Sequence, residues 1–364
     1  MTPEHDALPT PRASVAALPA YVPGARGDAD VPPIKLSSNE SALAPVPAVT
    51  AAARAQAEGV NRYPDMAMTA LTGRIAAHVG RPAEHIAVAA GSVAVLAHLL
   101  QAYAGPGDQV LFAWRSFEAY PILTRIAGAE PVTVPLDAEA RHDLPAMAAA
   151  VTDRTRVVMV CSPNNPTGPT LRTGELEAFL AAVPRRVLVV LDEAYLEYVR
   201  ADDAPDGLAL LDRHPNLVVL RTFSKAWGLA GLRVGYAVGV PALIAPIRAC
   251  VTPFSVSSPA QAAAVAALDA AEEVAARAAD VVAERARVTD ALRAAGWTLP
   301  EAQGNFVWLA LGEDAIPLAT HLGGLSPAIL VRPFAGEGVR VTIGAPAEND
   351  AFLAALADAP FAAR

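Results

Sequence analysis

Short apolar runs alternate with stretches of helical character from Ile86 onward. The apolar runs predict seven strands, at residues 86–89, 109–113, 131–135, 156–161, 187–191, 217–220 and 234–238. Between them the pattern predicts helices, for example over 93–103, 173–183 and 206–213. Runs without polar interruption are typical of strands that are buried on both faces. The alternation therefore predicts an α/β fold with a mostly parallel sheet in a large domain.

The pattern changes in the last third of the chain. Residues 259–294 predict a long helix that is interrupted near Ala270, and short strands follow at 305–309, 329–332 and 339–343 before a last helix at 348–357. This order is typical of a smaller α+β domain. We therefore expect three parts: an N-terminal arm (1–34) that joins the small domain, a large domain (35–270) and the small C-terminal domain (271–364).

Composition and charge restrict the possible functions. The chain has 364 residues, of which 53% are hydrophobic and 18% charged, as in globular proteins with a large core. A formal net charge of −9 gives no basic face for nucleic acid. The two cysteines predict no disulfide framework, and residues 1–13 lack the apolar core of a signal peptide. We expect a cytoplasmic protein that binds neither membrane nor nucleic acid, and no metal site.

Lys225 is the first candidate for chemistry. It lies just past the apolar run at 217–220, at the strand end where open α/β sheets bind ligands. A solvated surface lysine is the ordinary alternative. The chain is poor in lysine, however, and Gly228 and Gly231 allow the backbone to turn tightly beside it. An amine in this place is suited to form a Schiff base with a carbonyl, as lysines do with pyridoxal phosphate.

Two other predicted strands also end in polar side chains. Asn165 lies in the turn 162–168, where a bare turn would not need two asparagines before the proline, and its amide could donate to a phenolic oxygen. Asp192 ends an apolar run, and burial without a cation would be costly or would raise its pKa. A protonated pyridine nitrogen would serve as that cation. Asp192 could instead cap a helix, and Tyr195 could donate to the same phenolic oxygen.

Further candidates keep two interpretations each. Gly91, Ser92 and Val93 lie between a strand and a helix, where backbone N–H groups bind phosphate, although a simple cap fits as well. Phe117 could stack on a planar ring or pack in the core. Tyr63, before Pro64, could pack or reach an anion of a neighbouring subunit.

Two arginines lie in the short C-terminal strands. Arginine in an apolar strand is costly unless it meets an anion, and its guanidinium matches a carboxylate. We favour Arg340 as the clamp for the carboxylate of an amino acid, and Arg332 is either a second substrate contact or a structural ion pair. On physical grounds Tyr21 is predicted to lie in a turn, and Asn39 is predicted to cap the next helix. Both are also candidate substrate-binding residues.

The spacing Ser-Lys-x-x-Gly-x-x-Gly-x-Arg, formed by Ser224, Lys225, Gly228, Gly231 and Arg233, resembles the cofactor segment of the class I/II aminotransferases. These are pyridoxal-5'-phosphate enzymes of fold type I. The resemblance implies that Lys225 carries the cofactor and that Ser224 and Arg233 hold its phosphate. The order of candidates along the chain is similar to the histidinol-phosphate-aminotransferase-like branch. The runs 90–94 and 112–118 are closer to actinobacterial aromatic amino acid (phenylalanine) aminotransferases.

The resemblance implies a homodimer in which Tyr63 reaches the cofactor phosphate of the other chain. It also implies transfer of the amino group of an aromatic L-amino acid to a 2-oxo acid such as 2-oxoglutarate. Two departures weaken histidinol phosphate as the substrate: residues 39–44 lack the branch's usual tyrosine, and Val93 replaces a frequent acidic residue. Histidinol-phosphate aminotransferase remains the alternative, followed by a decarboxylase on the same scaffold. A transcription regulator would need a DNA-binding domain, for which 34 residues are too few.

Overall fold

The computed structural model describes residues 10–16, 18, 31–361 and 363. Its helices are α1 (Ala13–Ala16), α2 (Pro47–Ala55), α3 (Thr69–Val79), α4 (Ser92–Tyr103), α5 (Ala119–Ala127), α6 (Leu144–Ala149), α7 (Thr173–Ala182), α8 (Gly207–Leu210), α9 (Pro241–Cys250), α10 (Ser258–Asp269), α11 (Ala271–Ala294), α12 (Ala315–Gly323) and α13 (Pro346–Ala357). Its strands are β1 (Ile34–Lys35), β2 (Ile86–Ala89), β3 (Gln109–Trp114), β4 (Glu130–Pro135), β5 (Thr155–Cys161), β6 (Leu188–Asp192), β7 (Leu217–Thr222), β8 (Gly235–Gly239), β9 (Phe306–Gly312), β10 (Ile329–Leu330), β11 (Arg332–Phe334) and β12 (Glu337–Thr342).

The central sheet has seven strands in the order β2-β8-β7-β6-β5-β3-β4. Strand β8 is antiparallel to both of its neighbours, and the other pairs are parallel. All seven predicted strands are present, with ends that differ by at most two residues. The predicted α/β fold with a mostly parallel sheet is confirmed.

Helices cover both faces of this sheet, which explains the uninterrupted apolar runs. In β7, Leu217 and Val219 face one hydrophobic cluster, whereas Val218 and Leu220 face another. Both faces of the strand are therefore buried against apolar side chains, and its sequence at 217–220 does not alternate between apolar and polar residues. The predicted helix at 206–213 is too long: α8 ends at Leu210 because the following residues turn, with the Arg213 amide donating to the Leu210 carbonyl.

The C-terminal part forms a second hydrophobic core. Helices α10 and α11 are separated at Ala270, as predicted, and β9, β12 and β11 form an antiparallel sheet. The single strand predicted at 329–332 is two strands, since β10 pairs with β1 and β11 pairs with β12. Leu36 follows β1 and packs in the same cluster as Leu292 and Phe352. The chain segment before α2 is thus anchored to the C-terminal core.

Near the N-terminus, Arg12 donates to the carbonyl of Ile126 in α5. Within the described part of the chain, no helix combines the length and the apolar character that crossing a bilayer requires. Tyr21 lies outside the described residues.

Candidate active site

A cavity of about 250 Å³ opens at the carboxyl ends of β5, β6 and β7, where β11 and β12 approach the large sheet. Parallel strands bring their carboxyl ends to one edge, so residues far apart in the sequence meet there. The cavity gathers most of the residues that the sequence singled out: Ser92, Val93, Phe117, Asn165, Asp192, Tyr195, Ser224, Lys225, Arg233, Arg332 and Arg340.

Lys225 lies in the turn after β7 and projects its amine into this cavity. The Nζ atom donates to the carbonyl oxygens of Ser38 (3.2 Å) and Asn39 (3.3 Å), and it lies 5.6 Å from the centre of the Tyr195 ring. Burial, followed by the positive charge of Arg340, lowers the pKa of Lys225 to about 7. A large fraction of this amine is therefore neutral near pH 7, which is the nucleophilic form.

Asp192 lies at the end of β6 with a buried carboxylate. Its Oδ2 accepts a hydrogen bond from the hydroxyl of Tyr120 (2.8 Å), and its Oδ1 accepts one from the Ala194 amide (3.2 Å). Burial raises the pKa of Asp192 to about 6 although both hydrogen bonds oppose the change. A carboxylate held in this way stabilises a cation placed in the cavity.

The hydroxyl proton of Tyr195 meets no acceptor in the part of the chain that the structure describes. The oxygen accepts from Nδ2 of Asn39 (3.0 Å), and burial raises the pKa of the phenol to about 12. Asn39 has φ 54°, and its Oδ1 accepts from the Thr342 hydroxyl (2.9 Å). Among the described residues Asn39 is not part of the cavity wall, and Val46 rather than Asn39 precedes α2. Its contacts orient Tyr195 instead.

An anion cradle forms where α4 begins. Gly91 has φ 93°, and a Cβ atom there would lie 2.4 Å from the guanidinium of Arg233. Arg233 in turn donates to the Ser224 hydroxyl at 3.2 Å. No described side chain caps α4, a helix of 12 residues. The Ala94 amide donates to the Gly91 carbonyl, whereas the N–H groups of Ser92 and Val93 have no acceptor among the described residues and are left for a ligand. The cradle therefore combines a helix N-terminus, a hydroxyl and a guanidinium.

Arg340 fixes the orientation of the Asn165 amide. It donates to Oδ1 of Asn165 (2.5 Å) and to the carbonyl of Ser37 (2.6 Å), so the amide nitrogen of Asn165 is the atom that can donate to a ligand. Arg332 lies opposite Arg340 in the pairing of β11 with β12, and it forms an ion pair with Glu118 at 2.8 Å. Of its two predicted roles, the ion pair is present.

Two predicted aromatic residues take different positions. Phe117 lines the cavity and makes an edge contact with Tyr120, with the ring centroids 5.6 Å apart. Tyr63 is 82% exposed, and its ring stacks on that of Phe254 with the ring centroids 4.6 Å apart. It is not part of the cavity wall that the described residues of its own chain form.

Several contributors were not found from the sequence. Tyr120 lies three residues after Phe117 and holds Asp192, but a tyrosine near a helix start gave no signal of that role. Gly235 begins β8, and a Cβ atom there would lie 2.2 Å from the Ser92 amide nitrogen. Glu118 and the carbonyl of Ser38 also contact candidate residues. The sequence signal that could have pointed to Glu118 is its position directly after Phe117.

The sheet with one reversed strand, together with a cavity built around a lysine, defines the architecture of fold type I transferases. The chain belongs to the aminotransferase class I and II family, whose model matches residues 31–356. It is 56% identical over 343 residues to an aromatic amino acid aminotransferase of Mycobacteroides abscessus, covering 94% of this chain and 96% of that protein. A Streptomyces coelicolor protein of the same name is 53% identical over 346 residues, covering 95% and 96%.

A solved structure is also similar. Histidinol-phosphate aminotransferase from Sinorhizobium meliloti, in complex with pyridoxal-5'-phosphate, superimposes with a TM-score of 0.87 at 27% identity. The match covers 97% of this chain and 98% of that one. The fold and the aminotransferase class predicted from the sequence are therefore confirmed.

Proposed function

We propose that this aminotransferase uses pyridoxal 5'-phosphate to move the amino group of an aromatic L-amino acid, of the phenylalanine or tyrosine type, to a 2-oxo acid such as 2-oxoglutarate. The observation that carries the proposal is the placement of the Lys225 amine and the Asp192 carboxylate in one cavity with the anion cradle. The names of the relatives from M. abscessus and S. coelicolor support the aromatic substrate.

The residues present fit this cofactor. Asp192 is a buried carboxylate that suits a protonated pyridine nitrogen, and Asn165 and Tyr195 each keep one donor for a phenolic oxygen. The Arg233 guanidinium occupies the space that a Cβ atom at Gly91 would need, so a glycine at this position allows Arg233 to reach a phosphate. The residues proposed to hold the cofactor in one chain are Gly91, Ser92, Val93, Phe117, Asn165, Asp192, Tyr195, Ser224, Lys225 and Arg233.

The side chains divide the chemistry among them. When bound, the cofactor supplies a carbonyl and a ring that withdraws electrons from the substrate α-carbon. Lys225 would hold the cofactor at that carbonyl, and its Nζ atom would remove the substrate α-proton and return it as general base and acid. Arg340 binds the substrate carboxylate through its guanidinium. Tyr195 stays protonated near neutral pH because its pKa is about 12.

The role of Lys225 as the cofactor-binding lysine can be tested directly because the sequence contains only two lysines. The other, Lys35, is about half exposed and pairs with Glu40 at 2.8 Å. Borohydride reduction of the protein loaded with cofactor should fix the label on the Lys225 peptide. Lys225→Ala should abolish multiple turnover, whereas Lys35→Ala should retain it. Label on Lys35, or substantial turnover by Lys225→Ala, would refute the assignment.

Histidinol-phosphate aminotransferase is the second candidate, favoured by the similarity to the S. meliloti enzyme. Half-reactions with phenylalanine, tyrosine and histidinol phosphate separate the two candidates. We expect a high kcat/KM for the aromatic amino acids. A high kcat/KM for the phosphorylated amine alone would reverse the preference.

We also propose a cytoplasmic homodimer in which Tyr63 contributes to the partner's site. The exposed position of Tyr63, outside the cavity of its own chain, supports this arrangement. The division into an arm (1–34), a large domain (35–270) and a small domain (271–364) remains a proposal, and the separate hydrophobic core around Leu36 and Phe352 supports two packing units. Arg332 and Asn39 are proposed to act at the substrate side, Asn39 through Tyr195.

A further inference from the structure

The turn at 162–168 contains a second asparagine that the mechanism above does not use. Asn164 directly precedes Asn165, is 1% exposed and is not part of the cavity wall among the described residues. Burying a side-chain amide is costly unless its donors and its acceptor are paired. The partners of Asn164 therefore show which parts of the site this residue holds together.

All four hydrogen-bonding positions of the Asn164 amide are filled. Its Nδ2 donates to the carbonyl of Arg115 (3.0 Å) and to the hydroxyl oxygen of Thr167 (2.7 Å). Its Oδ1 accepts from the hydroxyl of Ser116 (2.8 Å) and lies 3.0 Å from Nε2 of His142. Because a backbone carbonyl can only accept, the nitrogen of the amide must face Arg115 and the oxygen must face Ser116 and His142.

The same geometry determines the tautomer of His142. An acceptor oxygen faces Nε2, so this nitrogen carries the proton and donates it to Asn164. Nδ1 is then an acceptor, and it meets no donor in the described part of the chain. Burial lowers the pKa of His142 to about 4. The ring is therefore neutral near pH 7, and its hydrogen bond to Asn164 involves no charged group.

The hydrogen bonds of Asn164 join three segments that follow strands of the central sheet. Ser116 comes after β3, His142 after β4 and Asn164 itself after β5. Asn165 is the next residue along the chain, so the position of its backbone depends on how these segments are held. The contact with Arg340 orients only the end of the Asn165 side chain.

We propose that Asn164 is a positioning residue that holds Asn165 in place, and that His142 supports it by completing its hydrogen bonds. This inference rests on the proposed function, in which the Asn165 amide donates to the phenolic oxygen of the cofactor. A displacement of Asn165 would weaken that hydrogen bond, because its strength falls steeply with distance and misalignment. Among the described residues neither Asn164 nor His142 lines the cavity, so both act through Asn165.

The visible absorbance of the bound cofactor reports the hydrogen bond to its phenolic oxygen. A donor to this oxygen stabilises the ionised form, so the proton that the oxygen shares with the nitrogen of Lys225 is lost at lower pH. Asn164→Leu keeps a side chain of similar size without donors or acceptors. In this variant the pH midpoint of the absorbance change should rise by about one unit. An unchanged midpoint would overturn the proposal.

Two variants of His142 separate the hydrogen bond from packing. His142→Leu should raise the midpoint by about 0.5 pH unit, less than Asn164→Leu does, because Asn164 keeps its other three hydrogen bonds. His142→Gln can place an amide nitrogen near the former Nε2 position, and it should restore a midpoint within about 0.2 unit of the native value. Equal shifts in His142→Leu and His142→Gln would contradict the role of the hydrogen bond.

His98 provides a matched control for the loss of a buried imidazole. Like His142 it is buried and has an Nδ1 atom without a partner among the described residues, but it lies within α4 and does not contact Asn164 through any hydrogen bond of Asn164 given above. His98→Leu should leave the midpoint unchanged. A shift equal to that of His142→Leu would show a general loosening of the fold and would overturn the proposal.

A double variant tests whether Asn164 acts through Asn165. In Asn165→Ala the donor to the phenolic oxygen is already absent, so adding Asn164→Leu should move the midpoint by less than in the native background. Equal shifts in both backgrounds would contradict this route.

The failure of the proposed function would look different, since the native protein would then show no visible absorbance of bound cofactor. The hydrogen bonds of Asn164 can be tested independently of the cofactor by NMR of the cofactor-free protein labelled with ¹⁵N-histidine. We expect His142 to carry its proton on Nε2 near pH 7. A proton on Nδ1 alone would overturn the role of His142 whether or not the cofactor binds.

Discussion

The hydroxyl of Tyr120 donates a 2.8 Å hydrogen bond to Oδ2 of Asp192, and both groups are buried. This contact lowers the pKa of Asp192 and so opposes the effect of burial, which raises it. A phenol on α5 thus helps to keep the carboxylate at the end of β6 ionised. Among the described residues Tyr120 is not part of the cavity wall, and it acts by positioning Asp192.

Removing this hydroxyl should weaken cofactor binding. Hydrogen bonds to charged groups contribute about 1.5–3 kcal/mol, so Tyr120→Phe should bind pyridoxal phosphate about 10- to 100-fold less tightly. A titration followed by the visible absorbance of the bound cofactor measures this affinity. Tyr103→Phe is the control, because Tyr103 donates to the carbonyl of Leu243 at 2.9 Å outside the cavity. Native affinity in Tyr120→Phe would contradict the role.

Asp192 should also make the stability of the cofactor-free protein depend on pH. Its pKa is raised from 3.8 to about 6, so the folded state binds the proton more strongly than the unfolded chain does. Stability should therefore fall as the pH rises from about 4 to about 6 and should stay level above, by about 3 kcal/mol in total. The difference in unfolding free energy between Asp192→Asn and the native protein should grow over the same range. A difference independent of pH would contradict the raised pKa.

Three of the residues that the sequence revealed share one property: they lie at or shortly past the end of an apolar run. Asn165, Asp192 and Lys225 lie at or just past the ends of β5, β6 and β7, and parallel strands bring such positions together regardless of the details of packing. The direction of β8 could not be read in this way. A strand that is buried on both faces is apolar whichever way it runs.

Contacts between helices and strands could not be predicted from the sequence either. Tyr120 reaches Asp192 because of the rotation of α5 against the sheet, and Gly235 matters because β8 passes beside the start of α4. The same holds for Glu118, whose partner is more than 200 positions away in the chain. None of these distances follows from local periodicity or spacing.

The amine of Lys225 should titrate near neutral pH in the cofactor-free protein. Burial and, after it, the charge of Arg340 lower its pKa to about 7, so labelling by trace acetic anhydride should be half-maximal near pH 7. In Arg340→Gln the midpoint should move to higher pH, because a positive neighbour is removed. Mass spectrometry can read both lysines, with Lys35 as the internal comparison. An unchanged midpoint in Arg340→Gln would show that Arg340 has no such influence.

The anion cradle should not tolerate side chains at its glycines. Gly91 has a backbone φ of 93°, and the Cβ atom of Gly91→Ala would lie 2.4 Å from the Arg233 guanidinium. The Cβ atom of Gly235→Ala would lie 2.2 Å from the Ser92 amide nitrogen. Overlap of this kind costs about 1–3 kcal/mol, so affinity for pyridoxal phosphate should fall about 5- to 100-fold. Affinity for pyridoxal, which lacks the phosphate, should fall less.

Gly73→Ala is the matched control for both glycine variants. Gly73 lies inside α3, and no described atom lies within 4 Å of the added Cβ atom. This variant should keep native cofactor affinity and gain about 0.5–1 kcal/mol of stability from its helix position. Equal losses for pyridoxal and pyridoxal phosphate in Gly91→Ala would mean that the cradle does not bind the phosphate.

Tyr63 can be assigned to one chain or the other by mixing variants. If Tyr63 serves the partner's site, a heterodimer of Lys225→Ala and Tyr63→Phe chains has one site with both defects and one native site. Such a heterodimer should regain about half of the native activity, because one of its two sites is intact. If Tyr63 instead served its own chain, each site would carry one defect and no activity would return above that of Tyr63→Phe. Its 82% exposure and its stacking on Phe254 favour the first outcome.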